Sequence, residues 1–245
     1  MDEEYLEDIA ALVKRYQDAE GPLMKLANYA GSQIESVLSS LPDGFEKQVQ
    51  TVVKGALDTA YEASGAISSS SFAPATPSYF HKVAVTFSGA IGGVAGLPGA
   101  VAELPVTITT MFSSFQKIAE EYGYDPQEPE IKLECIKIFS MGGPLRKDDD
   151  IDLSFVSARL GLQGEVVSQL ISKAAQKLAV VISQKLGSQA VPIIGAVTGA
   201  TLNFTFMSYY EEMAHVRFAL KKLQEENPTK NLLEEFANSY EHSLS

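Results

Sequence analysis

Leu6, Ile9, Val13 and Tyr16 recur at three- and four-residue intervals with charged residues between them, which is the spacing of an amphipathic helix. Gly21-Pro22 interrupts that pattern, and a second one runs through Leu23, Leu26, Ala30, Ile34, Val37 and Leu41. Leu41-Pro-Asp-Gly44 then turns the chain, and Val49, Val52, Val53, Ala56, Leu57 and Ala60 mark a third helix. The serines and prolines of 68–78 read as a loop. Further on, Ile131–Phe139 predicts a short helix, and Val166, Leu170, Ile171, Ala174, Leu178, Val181 and Ile182 predict a long amphipathic one. A last long helix of mixed charge follows Tyr210 and stops at Asn227-Pro228-Thr229. A short acidic helix then carries Leu232, Leu233 and Phe236. No segment alternates as a strand does. The pattern predicts an all-α chain, a single helical domain over residues 1–245.

Two stretches break the amphipathic rule. Between Lys82 and Lys117 the only charge is Glu103, and Leu186–Tyr210 has none. A helix apolar all round belongs in a core or in a bilayer. Both stretches are rich in glycine, and Gly89 with Gly93, Gly92 with Gly96, and Gly195 with Gly199 are each four apart. That spacing puts the small residues in one groove, where a second backbone can approach. Gly96-Leu-Pro-Gly99 should bend the first stretch, because Pro98 has no N–H to donate. The expectation is a glycine-rich hairpin, Val83–Met111, at the centre of the bundle, crossed by the helix after Val191.

Charge narrows the partners. Acidic residues outnumber basic ones 31 to 19, a net charge of −12. Such a surface repels phosphate backbones, so no nucleic-acid partner is expected. It also repels anionic lipid head groups, so contact with a membrane would rest on apolar insertion. The single cysteine, Cys135, allows neither an internal disulfide nor a multi-cysteine metal site. The acidic, amphipathic start lacks the basic, then apolar, pattern of a secretory signal. The expected location is the cytoplasm, with peripheral contact at the inner face of the membrane.

Several pieces occur together in order: Gly92-Gly93…Gly96-Leu-Pro-Gly99, Glu103 with Pro105, Tyr122-Gly-Tyr-Asp-Pro126, and Pro192…Gly195…Gly199…Asn203. In this order and spacing, over roughly residues 80–225, the chain resembles the EcsC family of bacterial proteins, named for a protein encoded beside the Ecs ABC transporter. The resemblance implies an α-helical fold and no agreed activity. A peptidase-like label attached to the family directs attention to hydrolytic motifs.

Those motifs are missing. No His-Glu-x-x-His, Gly-x-Ser-x-Gly or Gly-x4-Gly-Lys-Ser/Thr occurs. Ser114-Phe-Gln-Lys117 matches Ser-x-x-Lys, but the signature's partner elements, Ser-Asp-Asn and Lys-Thr-Gly, are absent. Cys135 sits among Leu133, Ile136 and Ile138, the setting of a buried structural thiol rather than a nucleophile. Glu212-Met-Ala-His215 is half of a dimetal motif, and neither His81 nor His242 supplies the other half. Glu103 and Glu134 are the remaining carboxylate candidates. The simpler reading pairs Glu211 with His215 one turn along a helix, so no metal and no cofactor are expected. Asp148–Asp150 with Asp152 lacks calcium-loop spacing and reads as a solvated loop.

Glu103, Asn203, Glu211 and His215 form the candidate polar centre. A lone carboxylate in an apolar stretch must be paired or protonated, so Glu103 reads first as a structural clasp and second as a functional acid. The foremost functional expectation is a non-enzymatic protein that binds an apolar small molecule or lipid, or rests on a membrane surface, with a link to a transporter or secretion system. Two alternatives stand beside it. One is a hydrolase or metal-dependent enzyme using Glu103 and His215. The other is a structural or regulatory module with a protein partner.

Overall fold

A computed structural model describes residues 2–19, 43–67, 96–140, 167–189 and 199–244. Among them are seven helices and no strand. The chain is all-α, as its periodicity predicts. The helices are α1 (Asp2–Asp18), α2 (Phe45–Ile67), α3 (Gly96–Glu121), α4 (Pro129–Phe139), α5 (Val167–Gln189), α6 (Gly199–Glu226) and α7 (Leu232–Leu244). The second expected helix (23–41), the acidic loop at 148–152 and most of the first glycine-rich stretch, with Gly89, Gly92 and Gly93, lie outside the described residues, as does Gly195.

Gly96-Leu-Pro-Gly99 is the first turn of α3. A proline is tolerated there, because the first four N–H groups of a helix have no intrahelical acceptor in any case. From Gly96 the chain runs as one helix to Glu121. A hairpin would need an arm before Gly96, and 83–95 fall outside the described residues.

The joint between α3 and α4 follows from Tyr122-Gly-Tyr-Asp-Pro126. Gly123 takes φ +89°, a left-handed conformation that glycine adopts without a Cβ penalty. Its N–H donates to the Glu120 carbonyl and the Tyr124 N–H to the Ala119 carbonyl, which closes the end of α3 in a Schellman arrangement. Asp125 Oδ1 accepts from the Gln127 N–H at 2.8 Å. The buried Gln116 amide donates to the Pro126 carbonyl at 3.0 Å. Pro129 then opens α4 at a position where no donor is needed.

Helix α4 is the hub of the described chain. It packs on α2, α3, α5 and α6. Ile131 and every residue from Glu134 to Phe139 are buried. Phe139 lies 5.0 Å from the Phe115 ring of α3 and 6.1 Å from the Tyr210 ring of α6. Helix α2 closes the opposite side against α3 and α5, through Val49, Val53, Leu57 and Ala60. These residues share one continuous apolar core with the inward faces of α1 and α7.

Helices α3 and α6 run parallel. Ser114 meets Glu211, Tyr122 meets His215, and Tyr124 meets Glu225, the numbers rising together on both helices. Their N-terminal parts, in which Glu103 is the one charge, therefore share one end of the bundle, called the uncharged end below, and their more charged parts share the other. Helix α4 runs antiparallel to α6, with Glu130 at Lys221 and Glu134 at Arg217.

Candidate functional site

The middle of α6 carries a polar seam against α3 and α1. Ser114 Oγ donates to Glu211 Oε1 at 2.5 Å. One turn on, His215 Nδ1 lies 3.4 Å from Tyr122 Oη, at the long end for a hydrogen bond, with the two rings edge-on at 5.8 Å. From α1, Arg15 Nε donates to Glu212 Oε2 at 2.5 Å.

The surroundings set the protonation of this seam. Burial pushes the Glu211 carboxyl up, the Ser114 hydrogen bond opposes that, and Glu212 and Glu121 add to the rise. Burial pulls His215 down, and Arg15 adds to the fall against Glu212 and Glu121. Burial also raises the Tyr122 phenol. His215 is therefore neutral at neutral pH, and the surroundings of Glu211 favour its protonated form.

Of the four residues expected to converge, the helix axes bring together only two. Glu103 sits nineteen residues before Tyr122, about 28 Å along α3 at 1.5 Å per residue. Asn203 sits eight residues before Glu211 on α6. The set thus divides into two levels, Glu103 with Asn203 towards the uncharged end and Glu211 with His215 in the seam. The Glu103 and Asn203 side chains lie outside the described residues. Gly96 and Gly199 are the first residues of α3 and α6.

The nearby candidates have other occupations. Glu211 takes its hydrogen bond from Ser114 rather than from His215. Ser114 has its hydroxyl on Glu211, which leaves the Ser-x-x-Lys spacing to Lys117 as a coincidence of one helix turn. Cys135 is fully buried, and burial with Glu134 beside it pushes the thiol well above its ordinary range, the state of an inert structural cysteine. Among the described residues no group of three His, Cys, Asp or Glu side chains is placed to hold a metal ion.

A charged cluster lies deep between α4 and α6. Both Glu134 oxygens are engaged, Oε1 by Lys137 Nζ at 2.8 Å and Oε2 by the Arg217 guanidinium. The side chains of Arg217, Glu134 and Lys137 are 4%, 6% and 8% exposed. Burial works to raise the Glu134 carboxyl, but Arg217 and Lys137 outweigh it and hold it below its ordinary value. Burial lowers Lys137. Arg217 ties Glu134 of α4 to α6, and Lys137, on α4 itself, takes the other oxygen. The sequence shows half of this, an i,i+3 Glu–Lys pair inside the run Ile131–Phe139. Arg217 is 83 positions from Glu134, and only the fold joins them.

The outward side of α3 carries a run of small and apolar residues. Ala102, Pro105, Val106, Thr109, Thr110 and Ser113 recur at three- and four-residue steps, so they form one stripe without a charge. The first three are exposed and the others partly so, with Val106 63% exposed. Thr109 and Thr110 donate their hydroxyls back to the Pro105 and Val106 carbonyls, each at 2.8 Å. Their methyl groups are left as the outward chemistry. No helix among the described residues is long and apolar enough to cross a membrane.

A family model described as the EcsC protein family matches residues 24–223. No curated protein and no solved structure matches the chain.

Proposed function

The chain belongs to the EcsC protein family, and on that premise we propose that it is a non-enzymatic protein that rests on a lipid surface, or takes up an apolar ligand, at the uncharged end of its bundle. The observation that carries this reading is the α3 stripe from Ala102 to Ser113. Half of it is exposed and the rest partly so, its residues carry no charge, and its two threonines have already satisfied their own hydroxyls. Burying such a face in an apolar phase strips water from few polar groups, so little desolvation opposes the transfer. The neighbouring half of α6, 199–210, adds uncharged sequence at the same end. With a net charge of −12, attraction to anionic head groups contributes nothing, and apolar area is the driving force. Contact is peripheral and on the cytoplasmic side in this reading. Any protein partner, such as a transporter, meets the molecule there.

Vesicle flotation tests the reading. The protein should float with zwitterionic vesicles to an extent that added salt does not reduce, because there is little attraction to screen. Val106→Asp should weaken flotation while leaving thermal stability unchanged, since the side chain faces solvent in the free protein. Absence of flotation with both zwitterionic and anionic vesicles, together with no copurifying lipid, defeats the proposal.

A further inference from the structure

The family match covers 24–223, and the described helices on either side of it, α1 and α7, pack against each other. They run parallel. Lys230 Nζ sits 3.9 Å from the Tyr5 ring centroid, Tyr16 meets Phe236 and Tyr240 edge-on, and the Gln17 amide donates to Ser243 Oγ. Their buried apolar contribution is small: Tyr5, Ile9 and Val13 from α1, Leu232 and Phe236 from α7. The layer reaches the rest of the described chain chiefly where α1 lies on α6. The charged tie at that contact is Arg15–Glu212, with side chains 37% and 39% exposed. A layer with little buried area and a solvent-reached tie belongs to the part of a structure that opens first.

His215 lies one helical turn from Glu211 and Glu212, at the place where Arg15 arrives. The groups that face it are Arg15 from α1, Glu121 and Tyr122 at the end of α3, and Glu212 on its own helix, while Glu211 one turn back is bonded to Ser114. We propose that α1 and α7 form a latch on α6 that loosens when His215 takes up a proton.

The physical reason is linkage. Docked α1 sets the Arg15 guanidinium on Glu212, one turn from the imidazole, and that positive charge makes the proton harder to accept. By reciprocity, the proton makes docking harder. The sign follows from the lowered pKa of His215. Its contribution to docking is present while the ring is neutral and is lost as pH falls through the ordinary histidine range. Glu211 works the other way, because its raised carboxyl favours the folded seam on acidification. Burial, Ser114, Glu212 and Glu121 cause that rise, and Arg15 does not, so it acts on α3 against α6 rather than on the latch. Opening uncovers the inward face of α1, with Tyr5, Ile9 and Val13. The inference does not depend on the lipid reading.

Hydrogen exchange read by mass spectrometry on the full chain tests it, at about pH 7.5 and about pH 5.5 with intrinsic rates corrected. Amides of α1 and α7 should lose protection together, and severalfold relative to α4, at the lower pH. In His215→Gln that pH response should vanish while protection at neutral pH persists. Arg15→Gln serves as a second variant, in which overall protection of α1 falls but the further loss on acidification shrinks. The proposal is overturned if wild-type α1 and α7 are equally protected at both pH values. It is also overturned if α4 opens equally with them, or if the response survives unchanged in either variant.

Discussion

Glu134→Gln is the sharpest perturbation of the fold. The substitution keeps the shape of the side chain and removes the carboxylate that both Arg217 and Lys137 bond. Two cations then face each other in a core where all three side chains are at most 8% exposed. Removing one partner of a buried pair costs about 3–5 kcal/mol, because the remaining charge is left uncompensated. Glutamine retains part of the hydrogen bonding, and burial already favours the neutral form of Lys137, so the lower end, about 3 kcal/mol, is expected. Against the ~5–15 kcal/mol that holds a typical domain together, this is a large fraction. The assay is urea unfolding followed by far-UV circular dichroism at neutral pH. Lys137→Met is the control: it leaves Glu134 and Arg217 as a balanced pair and should cost less. A pH series adds a second check. The folded pKa of Glu134 is lowered, so its contribution is present above the unfolded carboxylate value and disappears as pH falls through the folded one. Wild type and Glu134→Gln should therefore converge in acid. A Glu134→Gln protein within about 1 kcal/mol of wild type, or one more stable than Lys137→Met, would refute the reasoning.

Other substitutions test other joints. Gly123→Ala should cost about 1 kcal/mol in a thermal or urea melt, from the left-handed φ of +89° alone, since nothing lies within 4 Å of the added Cβ. Glu211→Gln should stabilise the protein at neutral pH and have no effect below the carboxylate range. The raised pKa of Glu211 means that its favourable contribution exists only at low pH and is lost as pH rises, and the amide removes that loss. Val106→Asp, as above, should separate vesicle binding from stability.

Much of the helical frame is legible in periodicity. The patterns through Ile9 and Val13, through Val49 to Ala60, and through Leu170 to Ile182 fall on the buried faces of α1, α2 and α5. The short run Ile131–Phe139 reads as a helix, but its place as the hub does not follow from its length. That place follows from burial on nearly every side, which the apolar run permits and only the packing of four neighbours requires. Pro98 is ambiguous for a physical reason. A proline removes a hydrogen bond from a helix interior, as Pro105 does within α3, and suits a first turn, and the sequence does not say which side of Gly96 is helical.

The seam was half legible. Glu211 and His215 are named by chemistry alone, and their i,i+4 spacing suggests a local pair. The structure gives each a partner from α3 instead, Ser114 and Tyr122, roughly 100 positions away. Glu103 and His215 look convergent only while the course of α3 is unknown. Once it is a single helix from Gly96 to Glu121, its rise separates them. The outward stripe on α3 is visible in the sequence as missing charge, but the bonding of Thr109 and Thr110 onto their own helix appears only in three dimensions.

On the proposed reading, the uncharged end of the bundle meets lipid while the charged end stays in water. Depth-sensitive fluorescence measures this directly. Cys135 is buried and its thiol is held protonated, so a cysteine introduced at an exposed position is the one that takes the label. A polarity-sensitive fluorophore is attached in one protein at Val106→Cys, on the α3 stripe, and in another at Lys222→Cys, on the exposed charged half of α6. With zwitterionic vesicles the probe at 106 should shift to the blue and be quenched by spin-labelled acyl chains, while the probe at 222 does neither. A protein that binds vesicles with the probe at 106 still in water, or with the probe at 222 in lipid, contradicts the orientation. A protein whose probes do not change at any lipid concentration contradicts the claim itself.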